Sequence, residues 1–168
     1  MTIVASVSAG TATAFGETFV ATFGKAGAIA ADTKHEGDGA SPIGIWPLRT
    51  GLLRPDRIAA PSTRLPWRWL RAADGWSDDP RDPSYNRPVC HPHGFGAERL
   101  WREDGVYDLI ITLGHNDAPP RAGLGSAIFL HCTHPDRRPT EGCVAIDRPV
   151  LAAWLDRLTV GDTLEITG

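Results

Sequence analysis

No stretch of the sequence stays apolar for the roughly 20 residues that a membrane-spanning helix needs, so no membrane span is expected. Cysteine is scarce. There are three, an odd number, which makes a disulfide scaffold a poor reading. Basic runs are missing as well: the 17 Lys and Arg are scattered, the longest run is Arg137-Arg138, and the formal net charge is −3. That balance supplies no electrostatic reason to expect nucleic acid or an anionic membrane as partner. Internal repeats and low-complexity tracts are absent. Long helices are disfavoured, because Gly 18 and Pro 14 turn the chain often. The opening residues, MTIVASVSAG, have neither a basic region nor a long apolar core. They read as a first strand and not as a secretion signal, and alone they predict a cytoplasmic protein.

What is present is an ordinary globular composition, 42% hydrophobic and 22% charged over 168 residues. It suits a single domain, residues 1–168, with a real core. Residues 2–8 alternate Ile3, Ala5 and Val7 against Thr and Ser, the pattern of a half-buried strand. Phe15 to Phe23, Ala26 to Ala31 and residues 43–49 read as further short strands. Residues 61–90, rich in Pro, Asp, Trp and Arg, have no periodicity and are expected to be a long surface connection. AERLWR (97–102) suggests one helical turn. GVYDLIITLGHN carries the strongest strand signal in the chain, SAIFLHCT (126–133) the next, and the two are expected to be neighbours. DRPVLAAWLDRL (147–158) is the one convincing helix. Asp147 serves as its N-cap, Pro149 sits in the first turn, and Val150, Leu151, Trp154, Leu155 and Leu158 share a face. DTLEIT closes the chain as a strand. The class is mainly β with a packed helix.

Chemistry concentrates in IFLHCTHPDRRPTEGCVAID (128–147), with two cysteines and two histidines. A zinc site is one reading of His131, Cys132 and His134, or of Cys90, His91 and His93. Adjacent residues on a strand point to opposite faces, so His131 and Cys132 cannot easily share one ion, and no metal or other cofactor is expected. Nucleophilic catalysis is a second reading. Cys143 follows Gly142, which lets the backbone turn sharply and expose the thiol. His131 lies twelve positions earlier at a strand end, with a loop long enough to return the ring to the sulfur. A free thiol has a pKa of roughly 8.5, so a neighbouring imidazole is what would make thiolate near neutral pH. The bland reading is that a cysteine is simply buried. It is preferred for Cys132 and Cys90; for Cys143, spacing alone leaves the two readings level. His115 and Asn116, at the end of the strand beside that of His131, are further candidate site residues, as are Tyr85 and Asn86 in the Trp-rich loop; turn chemistry is the alternative. Trp76 and Trp101 read as packing residues.

Several segments, taken in order, resemble the YkuD-like L,D-transpeptidase catalytic domain. SPIGIWPL (41–48) looks like that family's Thr-Pro-x-Gly-x-Phe segment. GSAIFLH followed by TEGCVAI resembles its closing signature, in which a strand ends in histidine and a Ser/Thr-x-Gly-Cys turn carries the nucleophile. DGWSDDPRDPSYNRPV and ERLWREDGVYDLIITLGHND resemble the short, single-domain members found in proteobacteria. The likeness covers roughly residues 30–150. It implies a β-sandwich of two mixed sheets with a packed α-helix and the active site at one edge.

The resemblance also implies a reaction. Cys143 would attack an L-centre–D-centre peptide bond of a peptidoglycan stem peptide, and an amine of a second stem would take the acyl group from the thioester. His131 would be the general base and acid, oriented in this family often by a backbone carbonyl. The N–H groups of Gly142 and Cys143 would bind the oxyanion. Thr140 and Glu141 flank the nucleophile as substrate contacts. The sequence departs from the commoner pattern in having Glu141 before Gly142 and Val144-Ala145 after Cys143, so no cation stands beside the thiol. Arg137, Arg138 or Arg87 could supply that charge. The product would be a 3,3 or a 1,3 cross-link. The same acyl-enzyme also serves an L,D-carboxypeptidase or endopeptidase, and a silent cell-wall binding module is the reading from another class. The substrate would place the protein in the periplasm or cell envelope, and a monomer is expected.

Overall fold

Short apolar runs, many of them bounded by glycine or proline, make a chain of mostly brief strands. The computed structural model describes all 168 residues. β1 (Thr2–Ser6), β2 (Thr11–Ala14) and β3 (Glu17–Thr22) form a meander, followed by β4 (Ala28–Ala30). β5 (Ser41–Leu53) is the longest strand. After β6 (Trp67–Trp69) come β7 (Asp74–Ser77), β8 (Pro88–Cys90) and β9 (Ala97–Arg99). β10 (Leu109–Leu113), β11 (Phe129–Cys132) and β12 (Val144–Ile146) precede α1 (Arg148–Leu155) and the closing β13 (Thr163–Thr167).

Two sheets result, one of which closes on itself. The 10-stranded sheet runs β10-β11-β12-β3-β2-β1-β13-β5, with β4 and β6 added on β5. Its ends meet because β5 has two partners in succession. Gly44–Pro47 pair with β13, and Leu48–Leu53 pair with β10. The change of partner falls at Pro47, which has no N–H to give to a ladder. The expected mainly-β class with one packed helix is what forms, and the two faces of the sandwich are continuous through β5.

Inside lies the larger core, including Ile3, Leu53, Ile111, Leu130, Val144 and Ile166, against which α1 lays Leu151, Trp154 and Leu155. A smaller core of Leu52, Leu70, Leu100, Ile110, Phe129 and their neighbours lies on the other face of β10 and β11. No helix is long and apolar enough to cross a membrane.

Three sequence expectations need correcting. Residues 97–102 do not turn as a helix; Ala97–Arg99 is β9. The stretch 61–90 contains β6, β7 and β8, strands of three or four residues that are too short to show alternation. Asp147 stands at the N-cap of α1 but makes no side-chain cap bond, because its carboxylate is taken by Arg137. The small sheet β8-β7-β9, which none of these signals revealed, stands beside the small core.

Candidate active site

Strand alternation decides which side chains can meet. β11 and β12 run parallel, with Leu130 beside Val144, His131 beside Ala145 and Cys132 beside Ile146. Leu130, Cys132, Val144 and Ile146 point into the large core. Phe129, His131, Cys143 and Ala145 are therefore on the opposite face. That face opens on a cavity of about 620 Å³, lined by Cys143, His131, Ala145, Tyr107, Thr140 and Glu141 among others. Cys132 is a core residue, as expected, and it cannot join His131 at one ion.

The Cys143 thiol is held from two sides. Sγ donates to the Ala127 carbonyl at 3.1 Å and accepts from the Phe129 N–H at 3.3 Å. Burial, helped by the Glu98 carboxylate, pushes the thiol up to about 12, against the Phe129 N–H and Lys34. His131 stands one pleat further along, about 6–7 Å of strand rise away, and its ring is not a hydrogen-bond partner of the sulfur. Its Nδ1 lies 2.8 Å from the Cys132 carbonyl, which fixes the proton there and leaves Nε2 as the basic nitrogen. Burial brings the imidazole down to about 4, opposed by the Cys132 and Val106 carbonyls. At neutral pH the resting pair is thus a thiol and a neutral imidazole.

The turn before Cys143 is pinned by Thr140. Its hydroxyl donates to the Cys143 carbonyl at 2.7 Å and accepts the Gly142 N–H at 3.2 Å. Gly142 has φ +134°, and a Cβ there would lie 2.8 Å from the Ala40 carbonyl oxygen. Only glycine fits both constraints. Glu141 is exposed and pairs with Lys25.

Of the other residues singled out by sequence, His134 and Arg138 line the cavity, and Tyr85, Asn86, Arg87, His115, Asn116 and Arg137 do not. Tyr85 is buried and donates to Glu36, which does line it. His115 is buried, edge-on to Trp46 at 4.7 Å, with Nε2 3.2 Å from the Leu124 carbonyl. Asn116 ties its own loop together, bonding to Arg121 and Gly125. Asn86 is a buried strut within the scaffold. Arg87 reaches the Asp117 carbonyl at 2.5 Å and faces a separate cavity of about 290 Å³. Arg137 turns to Asp147, with contacts of 2.9 and 2.7 Å. Arg138 and Arg102 are the guanidiniums on the main cavity.

Sequence reasoning missed Glu98, Arg102 and Tyr107, whose segment it took for a helical turn and the approach to a strand. Tyr107 donates to Glu98 at 2.7 Å and sets its ring edge-on to His131 at 5.2 Å. Burial, with the nearby Asp78 and Glu36 charges, raises Glu98 against the Tyr107 hydroxyl and Arg102. A strand of three residues, Ala97–Arg99, leaves no readable pattern from which these roles could be found.

Residues 3–166 match the model of the YkuD family, the L,D-transpeptidase catalytic domain. The chain belongs to that family. Among solved structures this YkuD domain is similar to Mycobacterium tuberculosis L,D-transpeptidase 1, at 17% identity and a TM-score of 0.45, covering 99% of this chain and 58% of that one. It is also similar to L,D-transpeptidase 3 of the same organism, solved in complex with a faropenem-derived adduct, at 14% identity and a TM-score of 0.46, covering 99% of this chain and 60% of that one. It spans less than two thirds of either. No curated protein matches it.

Proposed function

We propose that this YkuD domain is a peptidoglycan L,D-transpeptidase with Cys143 as nucleophile and His131 as general base and acid. The observation that carries the reading is their placement: β11 and the residue entering the adjacent parallel strand β12 present both side chains on one face, to one cavity. Nε2 of His131 takes the thiol proton as Sγ bonds to the carbonyl carbon of an L-centre–D-centre peptide bond. The carbonyl electron pair moves to oxygen, where the N–H of Cys143 stabilises it. The Gly142 N–H joins once it leaves Thr140. The intermediate collapses to a thioester, and the C–N bond breaks as His131 returns the proton to the departing amine. An amine of a second stem then attacks the thioester, loses its proton to His131, and regenerates the thiol. Because the resting pair is neutral, proton transfer belongs to the attack itself and not to a preformed thiolate. Thr140 and Glu141 contact substrate from the turn, and Arg138 supplies a carboxylate-binding charge in place of Arg137 and Arg87. The cross-link is of the 3,3 or 1,3 type, and the protein works in the cell envelope, where such stems lie.

Whole-protein mass spectrometry after incubation with a carbapenem, and with purified muropeptides, tests this on wild type and Cys143→Ala. The expected result is a covalent adduct in wild type that the variant lacks, with cross-linked dimers among the muropeptide products. An adduct that persists in Cys143→Ala would overturn the choice of nucleophile. Shortened stems without dimers would mean that water is the acceptor and the enzyme a hydrolase.

A further inference from the structure

Asn86 sits away from the cavity, yet its side-chain oxygen touches the support of the nucleophile and its amide nitrogen anchors it to the neighbouring loop. Oδ1 accepts from Trp76 Nε1 at 2.8 Å and from the Ala127 N–H at 3.1 Å. Nδ2 donates to the His115 carbonyl at 3.2 Å and to the Asn116 carbonyl at 2.7 Å. A side-chain amide offers two acceptor sites and two donors, so all four are used. The residue is 4% exposed. We propose that Asn86 is a positioning residue for the Cys143 thiol, acting through the Ala127 peptide; the inference rests on Cys143 as the nucleophile.

The chain of contacts is short. Ala127 has φ +52°, in the left-handed region that alanine avoids. Its N–H is held by Asn86 and its carbonyl is the acceptor of the Cys143 S–H. Holding the N–H fixes the residue in an orientation it would otherwise leave. The second partner of the sulfur, Phe129, packs edge-on to Trp76 at 5.1 Å, and Trp76 is held by the same Asn86 oxygen. Both groups that bracket the sulfur are thus tied to one amide. A parallel tie runs beside it: Tyr85 and Ser126, the neighbours of Asn86 and Ala127, both donate to Glu36 Oε2. Asn86 itself has φ +54°. Asparagine and glycine are the residues that tolerate this conformation, so asparagine combines the turn with the four bonds.

Asn86→Gly removes the bonds without adding backbone strain. Asn86→Asp keeps the shape and both acceptor bonds but loses both donors. Two readouts are taken on each, with Cys143→Ala as control: kcat and KM for muropeptide cross-linking, and the pH profile of Cys143 alkylation by iodoacetamide, located by peptide mass spectrometry. For Asn86→Gly, kcat should fall about tenfold or more while KM stays within about twofold, the pattern of lost alignment. Alkylation should level off at lower pH than in wild type, because the Ala127 carbonyl no longer holds the thiol proton. Asn86→Asp keeps the Ala127 N–H bond, so it should hold kcat and the alkylation profile within about twofold of wild type. If the glycine variant does not fold, an aspartate variant that folds yet shows the loss of about tenfold and the shifted profile overturns the proposal, because the Ala127 bond is then not what matters. An unchanged kcat and profile in Asn86→Gly would also overturn it. So would a raised KM with kcat retained, which marks a substrate contact, or a uniform rise in alkylation at every pH, which marks general loosening. If Cys143→Ala keeps cross-linking activity, the catalytic reading falls, while the alkylation profile still reports on whether Asn86 sets the thiol.

Discussion

His131 carries the clearest consequence at the scale of a single residue. Its imidazole is buried and held down to about 4, below the ordinary 6.5. The unfolded chain takes up a proton near pH 6.5 that the native state refuses until about pH 4. The native state therefore loses stability as pH falls through that window and levels off below it, a loss of roughly 3 kcal/mol from this group. His115, also lowered chiefly by burial, adds with the same sign. Denaturant unfolding at pH 7, 6 and 5 should show a falling free energy, with a shallower fall in His131→Asn. Equal slopes in the two proteins would show that His131 is not the refusing group. Residue type and order made Cys143 and His131 candidates in sequence, with spacing alone leaving Cys143 level between nucleophile and buried residue. Asn86 was read from sequence as a substrate contact and instead lies off the cavity, because nothing in the string shows that its amide faces Ala127.

Among the elements, the turn 140–143 is the most exposed to test. Thr140 satisfies the Cys143 carbonyl and the Gly142 N–H together. Thr140→Val keeps the shape and strands both groups, which should cost about 1–3 kcal/mol and slow acylation. Thr140→Ser should restore both. Thermal melts and the rate of adduct formation check this, and a valine variant with the wild-type melting point and rate would remove the hydroxyl from the account. Longer elements were read well. α1 carries enough apolar residues for a period to show, and β10 and β11 lie in apolar runs of aliphatic, β-branched and aromatic residues. β7, β8 and β9 do not, being three- or four-residue strands whose formation depends on pairing with each other.

On the scale of the molecule, closure is the governing feature. β13 lies between β1 and β5, pairing parallel to one and antiparallel to the other. Removing residues 161–168 would leave two open edges and strip Leu164 and Ile166 from the core. Calorimetry on a chain ending at Val160 should show no cooperative transition. A sharp transition near that of the full chain would show that the sheet does not need β13. Cavity and closure belong together, because β5, shared by both halves, holds β10 in place and through it β11, the strand of His131.

The sequence by itself determined the mainly-β class, the helix and the strand pair β10–β11, and it singled out Cys143 and His131 as candidates. Each of these depends on periodicity or side-chain chemistry, which are local. Only the tertiary structure decided that Arg138 and Arg102, and not Arg137 or Arg87, face the cavity, that Tyr107 and Glu98 stand beside His131, and that Asn86 bonds to the Ala127 N–H. Those outcomes turn on which face of a strand meets which loop across long stretches of chain. That is fixed by the register of strand pairing and by the closing of the sheet, and neither is written in any short segment.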